Sequence, residues 1–495
     1  MTVNTTNAVT PAALTRLKAD VGDTTGHAAH TQEAAGRQSL PGKILRPIKV
    51  TMLGAGSGFT PRLASDVLSI ENDAGGEIAL VDIDRDRLKT MFGLVQQVVA
   101  RRGKEKTWTV TASEDRRKVL AGTDYLVNCI EVSGTSCVAI DNDVPLKYGV
   151  DQCIGDTMGP GGLFKALRTG PAWLDILADA ERLCPDALVL NYTNPMSTLC
   201  LAAGRSSKMQ VVGLCHSVQH TCALLADRAG IPVDELTFDV AGINHLAWYT
   251  RLEHGGEDLY PALKETARRE LAAGASEAEP DRPDLVRKDM MLQFGAFITE
   301  SSGHLSEYLP YYRKSAAARE TYCGPGYCGG SRFYADNWPD WRRTADETRL
   351  AMLRGEKSID FPRSWEYASW IIEAREKDVP YRIYGNVMNQ DATGSGRLIT
   401  NLPADGCVEV ACMVDRAGIH PTRFGALPPQ MAWTCSNAMG YFDLSARAIV
   451  ERSREAAVHA LMLDPLTAAV CTPQQIRDMT NEMFDAQSDY LSDYA

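Results

Sequence analysis

Between residues 48 and 214 one pattern recurs five times: a short apolar run stops at a residue able to bind or react. The runs are Ile48–Leu53 before Gly54, Ile78–Val81 before Asp82 and Tyr125–Ile130 before Glu131. Ala187–Leu190 before Asn191 and Val211–Leu214 before Cys215 complete the set. Short apolar runs bounded by polar residues fit buried strands. The intervening segments change period: Arg85–Arg102 places Leu88, Met91, Val95 and Val99 at 3–4 spacing. Trp173–Leu183 and Val218–Ala229 read the same way. Strands alternating with helices predict an α/β fold, a Rossmann-like doubly wound parallel sheet. Ligands of such sheets bind beyond the carboxyl ends of the strands, where these five terminating residues stand.

The alternation stops near residue 235. Leu236–Ala241 reads as a further strand, Asp284–Thr299 and Arg343–Arg354 as helices, and 265–282 as a solvated helix followed by a loop. The expected organisation is a flexible leader over 1–46, a dinucleotide-binding domain over 47–235, and an α+β substrate-binding and oligomerisation domain over 236–495 packed on the sheet. The leader is polar and lacks the apolar h-region of a secretory signal.

Charge and cysteine content narrow the function. Lys+Arg total 51 against 63 Asp+Glu, a formal charge of −12, and no basic block appears. That balance disfavours nucleic acid as a partner. No apolar run approaches the roughly 20 residues of a membrane helix. The 13 cysteines are an odd count in a long chain, which argues against a disulfide framework and for a reduced, cytoplasmic setting.

Gly54-Ala55-Gly56-Ser57-Gly58-Phe59 follows the first run. Glycines there permit a sharp turn and close approach to a pyrophosphate, which the next helix N-terminus attracts. The third glycine comes one residue early for G-x-G-x-x-G, and the residues read alternatively as a plain turn. Pro61 suits the first turn of the helix that follows. Asp82 ends the second run, where an acid hydrogen-bonds the adenosine ribose and disfavours a 2′-phosphate. Asp84 reads as the cap of the next helix. NAD is therefore the expected dinucleotide.

Cys215-His216-Ser217-Val218 ends the fifth run, and Gly242-Ile243-Asn244-His245 lies further on. A thiolate and an imidazole from separate elements suit a borderline divalent metal, and two protein ligands leave positions open for a chelating substrate. Any one cysteine also reads as a small buried hydrophobe. The Asn191-Tyr192-Thr193-Asn194-Pro195 loop ends the neighbouring run, and its amides can donate to and accept from sugar hydroxyls.

Together with Asp156-Thr157-Met158-Gly159-Pro160-Gly161-Gly162, Ala166-Leu167-Arg168-Thr169, Thr299-Glu300-Ser301-Ser302, Glu307-Tyr308, Arg363–Ser369 and Cys407–Cys412, these motifs are similar to those of glycoside hydrolase family 4. The chain resembles most closely the melibiase-type α-galactosidase branch, from about Lys49 to Tyr490. The resemblance implies NAD⁺, a divalent metal such as Mn²⁺ on Cys215 and His245, and a homodimer or homotetramer. It also implies an exception to the two-carboxylate rule of glycosidases. Oxidising the sugar C3 to a ketone makes the C2 hydrogen acidic, the C1 substituent is eliminated, water adds, and C3 is reduced again.

The resemblance assigns Tyr308 as the base that takes the C2 proton. Asp156 and His216 are both candidates for the leaving-group acid. Asn194 and His304 are expected to contact sugar hydroxyls. Gly54, Gly56, Ser57, Asp82, Asn128, Glu131 and Asn191 are expected around the cofactor. Arg168 either meets an anionic substrate group or anchors the Gly159–Gly162 loop. The expected substrate is an α-galactoside, with α-galacturonides, α-glucuronides or α-glucosides as alternatives within the family. An NAD-dependent 2-hydroxy-acid dehydrogenase is the alternative from another class. The Cys215/His245 pair speaks against it, because such enzymes need a histidine acid–base and no metal thiolate.

Overall fold

Residues 39–273, 284–391, 394 and 396–495 are described by a computed structural model of the chain. Its first half alternates as the apolar runs require. Strand β1 (Ile48–Leu53) leads to helix α1 (Phe59–Ser69), β2 (Gly76–Val81) to α2 (Arg85–Arg101), and β3 is Trp108–Ser113. Next come β4 (Tyr125–Asn128), α3 (Val138–Lys147), α4 (Gly159–Leu183), β5 (Leu188–Asn191), α5 (Met196–Ser206), β6 (Gln210–Leu214) and α6 (Ser217–Ala229). The six strands pair in parallel in the order β3-β2-β1-β4-β5-β6. This is the doubly wound arrangement, and the order reverses between β1 and β4.

The second half does not pack on that sheet; it extends it. Strand β7 (Leu236–Ile243) forms a hairpin with β8 (Leu246–His254), followed by β9 (Glu257–Asp258), α7 (Tyr260–Ala273), α8 (Leu285–Phe294), β10 (Phe297–Ile298) and α9 (Ser302–Tyr308). Helices α10 (Ala316–Tyr322), α11 (Phe333–Leu353) and α12 (Tyr367–Lys377) precede β11 (Tyr381–Met388), β12 (Cys407–Asp415) and β13 (Gly418–Pro421). Helices α13 (Pro429–Glu451), α14 (Arg454–Leu463), α15 (Pro465–Val470), α16 (Pro473–Ala486) and α17 (Ser488–Leu491) close the chain. β11 adds antiparallel to β6, and the sheet continues through β12, β7, β8 and β10. An unpaired β6 edge would leave a row of backbone groups without partners, and β11 satisfies them. The C-terminal half thus shares one 13-stranded sheet with the Rossmann-like half.

Most of the expected leader lies outside the described residues. Its last part, residues 39–46, is packed: Ile44 is buried and bridges Asn72, and Arg46 pairs with Asp124 and Glu376. Residues 274–282 of the expected solvated segment also lie outside. Among the described residues no helix is long and apolar enough to cross a membrane. All 13 cysteines are free thiols.

Candidate active site

The β1–α1 turn is built for an anion. Gly54 has φ +67°, and a β-carbon there would sit 2.5 Å from the Cys129 carbonyl oxygen. Gly56 donates its amide to Asp82 Oδ2 at 2.7 Å, and Arg87 donates to the Gly56 carbonyl. The Ser57 hydroxyl accepts from Phe59 N at 3.3 Å as α1 begins. Helix α1 has no acidic residue in its own first turn to oppose an anion at its N-terminus. Asp84 caps α2 by accepting from Arg87 N. Beyond the ends of β4 and β5, Asn128 Nδ2 donates to Asn191 Oδ1 at 2.8 Å and to Thr193 Oγ1 at 3.2 Å. Asn191 Nδ2 donates to Thr193 O, so both asparagines lie wholly buried beneath the crevice and fix the 191–196 loop. These features fit a dinucleotide: a carboxylate at the end of β2, a helix terminus for the pyrophosphate, and a rigid floor between them.

A small, partly open cavity lies where β6 ends. Cys215, His216, His245 and Asn194 line it, with Phe59, Tyr192, Met196 and Leu214 as apolar walls. His245 comes from the two-residue β7–β8 turn and has φ 62°, a conformation that costs free energy in a non-glycine residue. Its ring lies 4.6 Å from that of His304 and 6.3 Å from that of Tyr308. Among the described residues no set of three or more His, Cys, Asp or Glu side chains forms a complete metal site. Cys215 and His245, which line one cavity, are of the donor types that an open site of two protein ligands would use. Burial, with Glu409 and Glu300 nearby, pushes the Cys215 thiol well above its ordinary pKa. Burial and the charge of Asp156 do the same to the Tyr308 phenol, whose hydroxyl has no partner among the described residues. The carboxylates Glu300, Glu409 and Asp156, which oppose the thiolate and phenolate charges, would attract a cation.

Next to this cavity runs a chain of buried polar groups. Lys165 Nζ lies 2.8 Å from Glu131 Oε2 and 3.7 Å from Asp156 Oδ2. Asp156 also accepts from Thr157 Oγ1 at 2.6 Å and from Asn194 Nδ2 at 3.2 Å. His304 spans Asp156 (3.3 Å) and Glu300 (3.1 Å), and Tyr327 donates to Glu300 at 2.7 Å. Burial alone would depress the His304 pKa, but its two carboxylates push it up to about 10. Helix α9 delivers these groups together. Ser301 caps it by accepting from His304 N, and one turn later Glu307 accepts from the amides of Cys153 and Ile154 at 2.5 and 2.6 Å. That grip fixes the 153–155 loop that carries Asp156.

His216, at the start of α6, places Nδ1 3.3 Å from Glu366 Oε1. Arg168 is engaged elsewhere. Its Nη2 bonds Asp141 Oδ2 at 2.7 Å, and its Nη1 bonds Asp141 Oδ1 and Gln487. It ties α4 to α3 and to the C-terminal helices. Lys165, Glu300, Tyr327 and Glu366 were not singled out from the sequence. Glu300 and Glu366 sit in recognisable motifs, but nothing local marks them as partners of His304 and His216.

The family models match almost the whole described chain: family 4 glycosyl hydrolase over residues 49–231 and the family 4 glycosyl hydrolase C-terminal domain over 240–467. An α-galactosidase of Bacillus subtilis (strain 168) is 36% identical over 456 residues, covering 90% of this chain and 99% of that protein. One from Rhizobium meliloti (strain 1021) is also 36% identical over 456 residues, covering 90% of each. In fold, the chain is similar to a 6-phospho-α-glucosidase from gut microorganisms solved with NAD and Mn²⁺. The TM-score is 0.74 at 20% identity, over 90% of this chain and 99% of that one. A Rossmann-like sheet that ends in a cysteine–histidine cavity, carried on a sequence matched in both halves, belongs to an enzyme that cleaves glycosides: this chain is a member of glycosyl hydrolase family 4.

Proposed function

We propose that the protein hydrolyses an α-galactoside with NAD⁺ and Mn²⁺, the cofactor in the β1–β4 crevice and the metal on Cys215 and His245. The observation that carries this reading is that Cys215, His245, His216 and Asn194 line one cavity at the end of β6, with Tyr308 beside His245. When bound, the dinucleotide supplies a hydride acceptor for the sugar C3, and the divalent ion supplies the positive charge that makes the C2 hydrogen removable.

The remaining work falls to side chains. Tyr308, with its hydroxyl uncommitted, is placed to take the C2 proton as its phenolate. Burial and Asp156 oppose that charge, and a divalent ion held on Cys215 and His245 would supply the compensating positive charge once the phenol's own proton has left to solvent. Asp156 is ringed by donors from Thr157, Asn194, His304 and Lys165, so it serves as an acceptor that fixes Asn194 and His304 toward the sugar. His216 lines the cavity with Glu366 behind its ring, and it is the donor to the leaving oxygen. The apolar walls of Phe59, Met196 and Leu214 exclude water until the elimination is complete.

A neutral hexose fits better than a uronate. Among the described residues no arginine or lysine lines the Cys215–His245 cavity, Lys165 is neutralised by Glu131 and Asp156, and Arg168 by Asp141. Both relatives at 36% identity are α-galactosidases. The test is a panel of nitrophenyl α-galactoside, α-glucoside and α-galacturonide under reducing conditions, with and without NAD⁺ and Mn²⁺. Turnover of the α-galactoside that requires both additions is expected. Preference for the uronide overturns the substrate, and stoichiometric NADH release overturns the hydrolase mechanism.

A further inference from the structure

Helix α11, from the C-terminal half, packs against α3 and α2 of the Rossmann-like half. Near its start, Trp338 stacks under Lys165, whose Nζ is 5.4 Å from the ring centroid. Near its end, Asp346 pairs with Arg87 of α2, and Gln97 donates to the Leu353 carbonyl at 3.1 Å. Arg342 lies between these anchors. Its guanidinium rests against the turn that follows β4, where Ser133 and Gly134 both have positive φ. A β-carbon at Gly134 would lie 3.7 Å from Arg342 Nη1 and 3.9 Å from Nη2.

The charged groups whose fields act on Arg342 are Arg87, Asp346, Glu131 and Asp82. Asp346 is already shared by Arg87 and Arg349, Glu131 is held by Lys165, and Asp82 accepts from the amides of Gly56 and Asp84. Among the described residues none of these carboxylates, nor any other, lies within the 4.0 Å of an ion pair with Arg342. A partly buried guanidinium without a counter-ion is costly. Burial and the like charge of Arg87 accordingly hold its pKa below the ordinary arginine value. Its neighbours belong to the dinucleotide crevice, and none of them lines the Cys215–His245 cavity. In a doubly wound sheet the ribose goes to the acid that ends the second strand, and the pyrophosphate goes to the first turn. Gly56 of the first turn bonds Asp82, and Asp82 is among the charges that act on Arg342 beside Gly134, which puts the guanidinium in the neighbourhood of the pyrophosphate.

We propose that Arg342 binds the pyrophosphate of the dinucleotide, a cation brought to the Rossmann-like half by a helix of the C-terminal half. The inference rests on reading the crevice as an NAD site. Charge-assisted contacts to phosphate of this kind are lost at a cost of about 10- to 100-fold in affinity.

The test is binding by the full-length protein without substrate, followed by titration calorimetry with NAD⁺, ADP-ribose and adenosine, alongside the melting temperature of the ligand-free form. Arg342→Gln is expected to weaken NAD⁺ and ADP-ribose about 10- to 100-fold, to leave adenosine unchanged, and to keep the ligand-free melting temperature at or above that of the wild type. Arg342→Lys, a point charge without the fork, is expected to recover part of the loss. Wild-type ADP-ribose affinity in Arg342→Gln overturns the proposal while leaving the NAD site standing. A lowered ligand-free melting temperature with equal loss for all three ligands assigns Arg342 to the scaffold instead and also overturns it. A wild-type protein that binds neither NAD⁺ nor ADP-ribose removes the NAD reading itself, and the proposal with it.

Discussion

Replacing Arg168 with methionine separates the two roles the sequence leaves open for it. The Arg168 and Asp141 side chains are 2% and 6% exposed, joined by two hydrogen bonds, with Gln487 as a third partner. Removing the cation strands a buried carboxylate, and breaking one partner of a buried pair costs about 3–5 kcal/mol. Unfolding entropy is about 2.1 cal/mol/K per residue, so for a chain of this size unfolding as one unit, 1 kcal/mol moves Tm by about 1 °C. Arg168→Met is therefore expected to lower Tm by about 3–5 °C in scanning calorimetry, with KM for the glycoside unchanged well below the transition. The double variant Arg168→Met/Asp141→Leu, which replaces the pair by apolar groups, should recover most of the loss. An Arg168→Met enzyme with wild-type Tm and a raised KM would refute the anchoring role and make Arg168 a substrate contact.

Further expectations concern pH, metal and packing. Asp66 is wholly buried and accepts from Ser364 N and Oγ, and burial pushes its carboxyl up to about 7. Because the folded pKa lies above the unfolded one, its contribution is complete below about pH 4. It is lost at up to about 1.4 kcal/mol per pH unit as pH rises toward 7. Asp66→Asn, which keeps both contacts, should flatten that part of the Tm–pH profile and melt higher at pH 8; coincident profiles would dismiss the effect. Cys215→Ser should fold normally yet lose at least the 10–100-fold in Mn²⁺ affinity that removing an outer partner costs. Retention of stoichiometric metal after dialysis would rule Cys215 out as a ligand. A β-carbon on Gly303 would lie 2.3 Å from the Tyr327 carbonyl oxygen, so Gly303→Ala must displace α9 and with it His304 and Tyr308. A shift of about 1 Å is expected to lower kcat on the order of 100-fold with Tm reduced only modestly, and an unchanged kcat would show that α9 does not position the chemistry.

Five of the six strands of the first half were legible because their carboxyl-terminal parts are buried and each ends at a candidate site residue. β3 was not: Trp108–Ser113 is an edge strand with only Trp108 buried, so it has no apolar run. Helix α4 was seen only from Trp173 onward, since Gly159–Gly162 and Pro171 read as breakers. In the fold those glycines permit contact, as a β-carbon on Gly161 would lie 2.4 Å from the Gly155 carbonyl oxygen. The antiparallel extension was hidden for a different reason. β11 pairs with β6 across some 170 residues of chain, and no local period encodes such a partner. The site divided along the same line. Asp82, Cys215 and His245 are marked by strand ends and motifs, whereas Lys165–Glu131, His304–Glu300 and Arg342 acquire meaning only when distant segments meet.

The most direct test of the mechanism is the fate of the C2 hydrogen. Hydrolysis of an α-galactoside in heavy water with NAD⁺ and Mn²⁺, followed by NMR of the released sugar, reports whether that carbon was deprotonated during turnover. Deuterium at C2 of the product, absent from unreacted controls and lost with Tyr308→Phe, is the expected result. A product released at full rate with hydrogen retained at C2 would contradict elimination and the roles given to Tyr308, Cys215 and His245.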